Sequence, residues 1–473
     1  MHRLLITLLF CAAAAHQADK AKDIAFSPES YKPHEVIYRD VAIIGGGSAG
    51  AYSAVRLVDH NVSVAIIEPK AQLGGHAETY VDPSGVTVDI GVVVFEPFNL
   101  TTDYFARFGV PLIPFSGSSS SASQFVNLET GEVMDWRLPS QEEVASGYAA
   151  YGEQLSKHPD IVTGYDLDFP VDEDLLLPFH QFVDKYQIDG VVTTLYNFEQ
   201  GYSPILDLPT IYVLKQFGQG LLQAVTTNSL LTTEHHNTHE LYERVTEFLG
   251  DRVLLNTSVI AMSRKGPRQP RILVDGPDGK KLIIARKVLV TAPLIDVYEA
   301  RDSFDLNTEE DALFQQFFAN GYYTGIIKNT GFPPNFTAVG ADPDQPYGIP
   351  ALPGPYAISS IPELPGLFHV YYGIPQPKPG EAVRRDIEAV VGRIQRAQGL
   401  PPSAPEWVIF SDHSPYNTMV EPEAIRDGFY KKLSGLQGKR NTFYTGATWE
   451  TQDSGMIWTY TEERVLPQLL VSL

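Results

Sequence analysis

The stretch VAIIGGGSAGAYSAVRLVDH, residues 41 to 60, constrains the fold of this chain more than any other. An apolar run, three consecutive glycines and a mixed apolar pattern follow one another, which predicts a buried strand, a tight turn and a helix. VSVAIIE reads as a second buried strand, and strand, helix and strand within about 30 residues make a βαβ unit with parallel strands. Gly45, Gly47 and Gly50 fit G-x-G-x-x-G at the turn. The first glycine permits the sharp bend, the second lets the backbone approach a pyrophosphate, and the third lets helix and strand pack closely. Glu68 ends the second strand 21 residues after Gly47. A carboxylate there accepts hydrogen bonds from both ribose hydroxyls of an adenosine and disfavours a ribose phosphate.

A chain of 473 residues exceeds one compact core, so at least two domains are expected. A formal charge of −22 repels nucleic acid phosphates and anionic membrane surfaces, which leaves a small molecule as the expected partner. The N-terminal MHRLLITLLFCAAAAHQA has a basic residue, an apolar run too short to span a bilayer and small residues before a polar stretch. That is the layout of a secretory signal over residues 1–18, and it predicts a secreted protein. Sequons at Asn61, Asn99, Asn256 and Asn335 are compatible with glycosylation. The single cysteine, Cys11, lies inside the signal, so the processed chain has no disulfide, thiolate metal site or cysteinyl cofactor tether.

Beyond the βαβ unit, SQFVNLETGEVMDW predicts a hairpin, residues from about 141 to 250 carry mostly helical spacings, and DRVLLNTSVIAMSR, RILVDGPDGKKLIIA and KVLVTAP return to strands. The helical spacing LPTIYVLKQFGQGLLQAV reads as one segment, and a terminal helix is expected from Ser454 to Leu470. The pattern suggests a nucleotide domain in separated pieces, over 36–100, 231–300 and 401–473, with a substrate domain from 101–230 and 301–400. In EHHNTH, His235 and His239 have i, i+4 spacing, but no third ligand is evident and no metal is expected.

Gly74-Gly75-His76-Ala77-Glu78-Thr79 resembles the second glycine motif, G-G-R-x-x-T or S, of the flavin amine oxidase superfamily, with His76 in place of the usual arginine. VDIGVVVF, NTSVIAMSR, KVLVTAPL and NTFYTGATWETQDSGMIWTY resemble further segments of that superfamily. Within it, the chain is similar to secreted fungal β-cyclopiazonate dehydrogenases, or oxidocyclases, and to a bacterial FAD-dependent fatty-acid double-bond isomerase. The resemblance implies an α/β fold with a Rossmann-like FAD-binding domain of the p-hydroxybenzoate-hydroxylase type and an inserted α+β substrate domain. It also implies FAD as cofactor. VDIGVVVF would be the strand after the second glycine motif, Val259 an adenine contact, Gly446 part of the ribityl contact, and Met456 with Ile457 backbone positions facing the flavin pyrimidine.

The chain departs from the superfamily at several points. The strand NGYYTGIIKNTGF puts Tyr322, Tyr323 or Thr324 where amine oxidases carry a lysine, with Lys328 at the strand's end. His76 can either bond the flavin covalently or donate a hydrogen bond near the pyrophosphate. Gly446-Ala447 lacks the usual acid, for which Glu450 or Asp453 could substitute. Among the aromatic residues, Tyr323, Tyr371 and Trp449 are the first candidates for the substrate wall, and His369 and His413 are weaker candidate bases. The expected activity is removal of a hydride from a hydrophobic or indolic secondary metabolite, with or without oxidative ring closure. A redox-neutral isomerase and a non-catalytic flavin-binding protein are the alternatives.

Overall fold

The structure is a computed structural model that describes residues 24–116, 123–202, 204–266, 268–350 and 352–473. The expected signal, Cys11 and most of the serine-rich loop before the hairpin lie outside the described residues.

The first βαβ unit forms as its pattern dictates. Strand Val36–Ile44 runs parallel to Val64–Ile67, and helix Ser48–Asp59 crosses between them. Residues 41–44 and 64–67 of these strands are buried because helices cover a parallel sheet on both faces. The long strand Gly279–Val290 pairs in parallel with Val36–Ile44 on the other side. Its first half folds back on Arg271–Gly276 through the Pro277-Asp278 turn. Ser258–Ser263 then pairs antiparallel with Arg271–Gly276 at the sheet edge. The short strand Thr442–Tyr444 returns from the far end of the chain to pair in parallel with Val288–Val290.

A second sheet has the order Glu406–Asp412, Gly321–Lys328, Leu367–Ile374, Gly354–Ser360, Thr337–Gly340, Ser123–Val126 and Val133–Met134. The strand Glu406–Asp412, placed by sequence in the last nucleotide segment, therefore belongs to the second sheet. It follows helix Gly380–Ala397 directly and pairs antiparallel with Gly321–Lys328. Helix Gly380–Ala397 covers one face of this sheet, burying Val383, Ile387, Val391 and Ile394 against Tyr323, Ile327, Phe368, Val370 and Tyr372. The other face looks toward the helical insertion and the nucleotide sheet.

Three further expectations are corrected. Of VDIGVVVF only Val88 and Asp89 belong to a strand, Thr87–Asp89, although Ile90 and Val92 still donate their N–H groups to the Glu78 and His76 carbonyls. The single helix read from LPTIYVLKQFGQGLLQAV breaks into Thr210–Gln216 and Gln219–Thr226, with Gly218 extended between them. The terminal helix extends beyond its expected span, as Ser454–Tyr460, a wider π turn Thr461–Val465 and Leu466–Ser472. Pro467 cannot donate an intrahelical bond, and the widened turn before it accommodates that missing N–H.

The two ends of the nucleotide domain are joined by a buried charge cluster. Arg264, 1% exposed, reaches Asp305 at 2.9 Å and Glu310 at 2.8 Å. Glu310 also accepts from Arg440 at 2.7 Å and from the Tyr444 hydroxyl at 2.9 Å. Burial opposes ionisation of Glu310, but Arg264, the Asn307 N–H and Arg440 together outweigh it and hold its pKa below 4.5. Because the folded value lies below that of the unfolded chain, this stabilisation is complete above about pH 4.5 and is lost as pH falls through the folded value. Arg264→Met leaves Glu310 buried with less compensation, and is expected to lower the unfolding free energy by about 3–5 kcal/mol in urea titration. An unchanged midpoint would show that the cluster is not structural.

Candidate active site

The glycine turn builds one wall of a cavity of about 310 Å³. Gly45 has φ +105°, where a side chain is strained, and a Cβ there would also press on the Thr291 hydroxyl. A Cβ on Gly50 would fall inside the van der Waals shell of the Gly45 carbonyl oxygen, so the helix seats against the turn only with glycine at that point. Gly47 lies at the cavity and bridges to Gly74 of the second glycine motif. A Cβ on Gly75 would sit 3.1 Å from the Gly47 Cα. The two glycine motifs thus form one surface stripped of side chains, at the start of a 12-residue helix.

Glu68 is buried at the back of this surface and lines the cavity. Its two carboxylate oxygens accept from the Gly46 N–H and the Lys70 N–H, both at 2.7 Å. Each oxygen has a further lone pair, which suits it to ribose hydroxyls. Gly446, at φ +111°, closes the cavity from the C-terminal side with Ala447 and Thr448.

His76 lines the same cavity and lies face to face with His413, ring centres 4.7 Å apart, and with Tyr416 at 5.7 Å. Burial, then His413 and Lys70, push its pKa down to about 3, so the ring is neutral at neutral pH. It therefore supplies no positive charge to the second glycine motif. Lys70 is at the cavity too, paired with Glu78 at 2.9 Å. Burial works against ionisation of Glu78, but hydrogen bonds from His413 and Ser411 and the Lys70 charge hold its carboxyl well below the usual range. His413 sits 3.5 Å from Glu78, which places it as a partner of that carboxylate.

The other named residues are placed less directly. Val259 lies on the edge strand and does not line the cavity, although Thr257, two residues earlier, donates its N–H to the Glu68 carbonyl. Met456 donates its backbone N–H to Asp453 at 2.8 Å, while Ile457 lines the glycine cavity. Glu450 is turned away from that cavity. It is 1% exposed, pairs with Lys215 at 2.5 Å and accepts from the Gly164 N–H. Lys328 ends its strand, exposed and 3.5 Å from Glu406.

Of the aromatic candidates, Tyr323 faces the wrong way. Its hydroxyl donates to the Lys378 carbonyl at 2.6 Å under helix Gly380–Ala397. Side chains alternate along a strand, so its neighbour Tyr322 takes the cavity-side face. Tyr322 donates to Gln200 at 3.1 Å and packs on Tyr416 at 4.8 Å and His413 at 5.9 Å. Tyr371 pairs across from Thr324 and so shares that face, hydrogen-bonded to His369 at 2.9 Å. Trp449 is buried and stacked on Tyr444 at 5.6 Å, away from the cavity. His235 and His239 do not share a helix turn, since the helix begins at His239 and His236 has φ +47°. No cluster of three metal-ligating side chains exists among the described residues.

Sequence reasoning missed Tyr416, Tyr242, Asp296 and Gln452, all of which line the glycine cavity. Burial and Glu299 raise Asp296 to about 6. It also missed a second cavity of about 390 Å³, lined by Glu96, Phe98, Leu155, Ile161, Leu214, Lys215, Leu221, Met456 and Thr459 among others. The helix Ser454–Tyr460 separates the two spaces, turning Ser454 and Ile457 to one and Met456 and Thr459 to the other.

The stripped glycine surface, the helix N-terminus and the Glu68 carboxylate suit the adenosine diphosphate half of FAD. Residues 43–108 match the NAD(P)-binding Rossmann-like domain family. The chain is 36% identical to FAD-dependent oxidoreductase oblC of Cochliobolus heterostrophus, over 99% of each chain. It is 31% identical to beta-cyclopiazonate dehydrogenase of Aspergillus oryzae, over 93% of this chain and 94% of that one. Among solved structures, the CLA-producing fatty acid isomerase from P. acnes superposes with a TM-score of 0.72 at 20% identity, over 91% of this chain and 98% of that chain. The architecture assembled above is thus that of a flavin enzyme, and the chain belongs to the FAD-dependent oxidoreductases that include beta-cyclopiazonate dehydrogenase.

Proposed function

We propose that the protein oxidises a hydrophobic or indolic secondary metabolite held beside the cofactor cavity against the face of Tyr416, Tyr322 and Tyr371, with ring closure as one outcome of that oxidation. The observation that carries this reading is Tyr416, which lines the cofactor cavity and packs on Tyr322 at 4.8 Å. When bound, FAD supplies the hydride acceptor. Glu68 and the two glycine motifs hold its adenosine diphosphate half, and the neutral His76 donates a hydrogen bond there. Tyr416, Tyr322 and Tyr371 would form an aromatic wall that orients an apolar molecule and excludes water.

On the face of strand Gly321–Lys328 that carries Tyr322, Thr324 and Ile326, the one lysine, Lys328, is exposed at the strand's end and paired with Glu406 rather than at the cavity. Positioning therefore carries more of the rate than proton transfer by an amine. The purified protein is expected to be yellow and to lose that colour anaerobically with a suitable apolar indole. Acid precipitation then tests attachment, since colour left in the pellet requires a covalent bond. A colourless protein that takes up no added FAD overturns the reading, and turnover without consumption of any electron acceptor replaces oxidation with isomerisation.

Tyr322 and Tyr323 separate site from scaffold. Tyr322→Phe removes the bond to Gln200 and is expected to slow anaerobic flavin reduction about tenfold, at the scale of a misplaced reacting group. Tyr323→Phe loses the bond to the Lys378 carbonyl and is expected to cost about 1 kcal/mol of stability while reduction keeps its rate. Equal effects of the two substitutions on reduction would refute the assignment of faces.

We also propose that the protein enters the secretory pathway. The asparagines of all four sequons, Asn61, Asn99, Asn256 and Asn335, are exposed, which supports glycan attachment. Endoglycosidase treatment of protein from a eukaryotic secretory host is expected to increase its electrophoretic mobility. Unchanged mobility, with protein retained in the cytosol, contradicts the proposal.

A further inference from the structure

We infer that Tyr371 hydrogen-bonds the polar group of the substrate, that His369 is a positioning residue behind it, and that the pair holds a neutral ring compound whether its polar group donates or accepts. The inference deepens the reading that the substrate lies against the aromatic face beside the cofactor cavity, and rests on it.

Strands Leu367–Ile374 and Gly354–Ser360 are the third and fourth of the seven-stranded sheet. On the side of helix Gly380–Ala397, their Phe368, Val370, Tyr372 and Ile358 are buried. Tyr371 and Ala357 pair across the same two strands on the opposite face and are half-buried. The sheet interior is thus open at Tyr371, on the face that also carries Tyr322, and closed at its neighbour Tyr372.

The Tyr371 hydroxyl lies 2.9 Å from His369 Nδ1, with ring centres 4.1 Å apart. His369 is 6% exposed, and its Nε2 has no hydrogen-bond partner among the described residues. A neutral imidazole carries one N–H, and the bond made by one nitrogen decides which of the two bears it. Here that bond goes to a hydroxyl, which both donates and accepts, so neither tautomer is locked. With the N–H on Nε2, Tyr371 donates to Nδ1 and its oxygen accepts from a ligand. With the N–H on Nδ1, the ring donates to the Tyr371 oxygen and the phenol O–H turns to the ligand. One phenol thereby holds an N–H or O–H group as well as the imine or carbonyl that oxidation makes of it.

Neighbouring hydroxyls on this face are committed to the protein. Tyr322 donates to Gln200, Thr324 to the Ile90 carbonyl and Ser411 to Glu78. Asp89, whose charge acts on Tyr371, already accepts from the Thr79 hydroxyl at 2.6 Å and from the Thr238 N–H at 2.8 Å. Burial, then His413, push the His369 pKa down to about 3, so the ring is neutral at neutral pH and the pair recognises a neutral group.

Two matched pairs of probes isolate the polar group: indole against indene, which lacks the N–H, and 1-indanone against indane, which lacks the carbonyl. Calorimetric titration of the FAD-loaded protein is expected to show the first member of each pair about fivefold tighter, the scale of one neutral hydrogen bond. Tyr371→Phe is expected to bring each pair within about twofold. The carbonyl stretch of carbon-13-labelled 1-indanone, read by infrared difference spectroscopy, is expected at lower frequency on the wild-type protein than on Tyr371→Phe. His369→Leu is expected to move it towards the Tyr371→Phe value, and His369→Asn, whose amide both gives and takes hydrogen bonds, to restore it. Equal affinity within either pair on the wild-type protein overturns the inference. So does a preference that survives Tyr371→Phe or is lost instead in Tyr416→Phe, an unshifted carbonyl, or failure of all four probes to bind. If a His369 variant does not fold, the wild-type ratios and Tyr371→Phe still decide. Flavin absorbance, read on the same samples, keeps the two readings apart. The expected ratios with an unchanged flavin spectrum sink the placement beside the flavin alone, whereas a spectrum changed by all four probes with no preference within the pairs sinks the role of Tyr371 alone.

Discussion

The structure depends on the absence of a side chain at Gly50. Helix Ser48–Asp59 lies so close to the turn before it that a Cβ would strike the Gly45 carbonyl oxygen. This approach points the first N–H groups of the helix into the cavity instead of along the sheet. The neighbouring contacts follow from it. Thr291, at the end of the long parallel strand, donates to the Ile44 and Gly45 carbonyls, and Gly446 passes 3.2 Å short of the Thr291 carbonyl by the measure of an added Cβ. Three distant stretches of chain therefore converge on one turn because none of them brings bulk to it.

The last helix then divides the cofactor seat from the second cavity. It is held at its start by Asp453 and at its side by the Trp458 indole, which donates to the Ser48 hydroxyl at 3.0 Å. Just before it, Glu450 pairs with Lys215 from the helical insertion, both about 1% exposed. Removing two charges from water is costly unless their geometry is good and their remaining valences are filled. Here the Gly164 N–H and two backbone carbonyls fill them. The helical insertion is thereby locked to the segment that follows the C-terminal strand, and the second cavity forms between the two.

Much of the nucleotide domain was legible because its signals are local. A glycine turn after an apolar run, an acid at the next strand end and a second pair of glycines each state a backbone requirement within a few residues. Gly45, Gly47, Glu68, Gly75, His76 and Gly446 all line the cavity they suggested. The substrate face was harder. In the run Gly321-Tyr322-Tyr323-Thr324, both tyrosines are apolar enough for either side of a strand, and both faces of this sheet are covered. Burial therefore supplied no alternation from which to choose Tyr322 over Tyr323. Val259 and Trp449 lie outside the cavity for a related reason: motif spacing assigns a position along the chain but not the direction of a side chain.

By itself the sequence determined the parallel βαβ frame and the dinucleotide seat, since each rests on residues whose spacing dictates backbone geometry, while the flavin class was implied by the family resemblance of the second glycine motif. Only the tertiary structure decided which carboxylates face which space. Glu450 could have replaced a missing ribityl ligand by spacing, yet it is satisfied by Lys215. Glu96 drew no attention in sequence, yet it lies beside Asp453 in an apolar cavity. The reason is that an acid's chemistry depends on the charges and solvent that its fold brings near it, and those neighbours are hundreds of residues away along the chain.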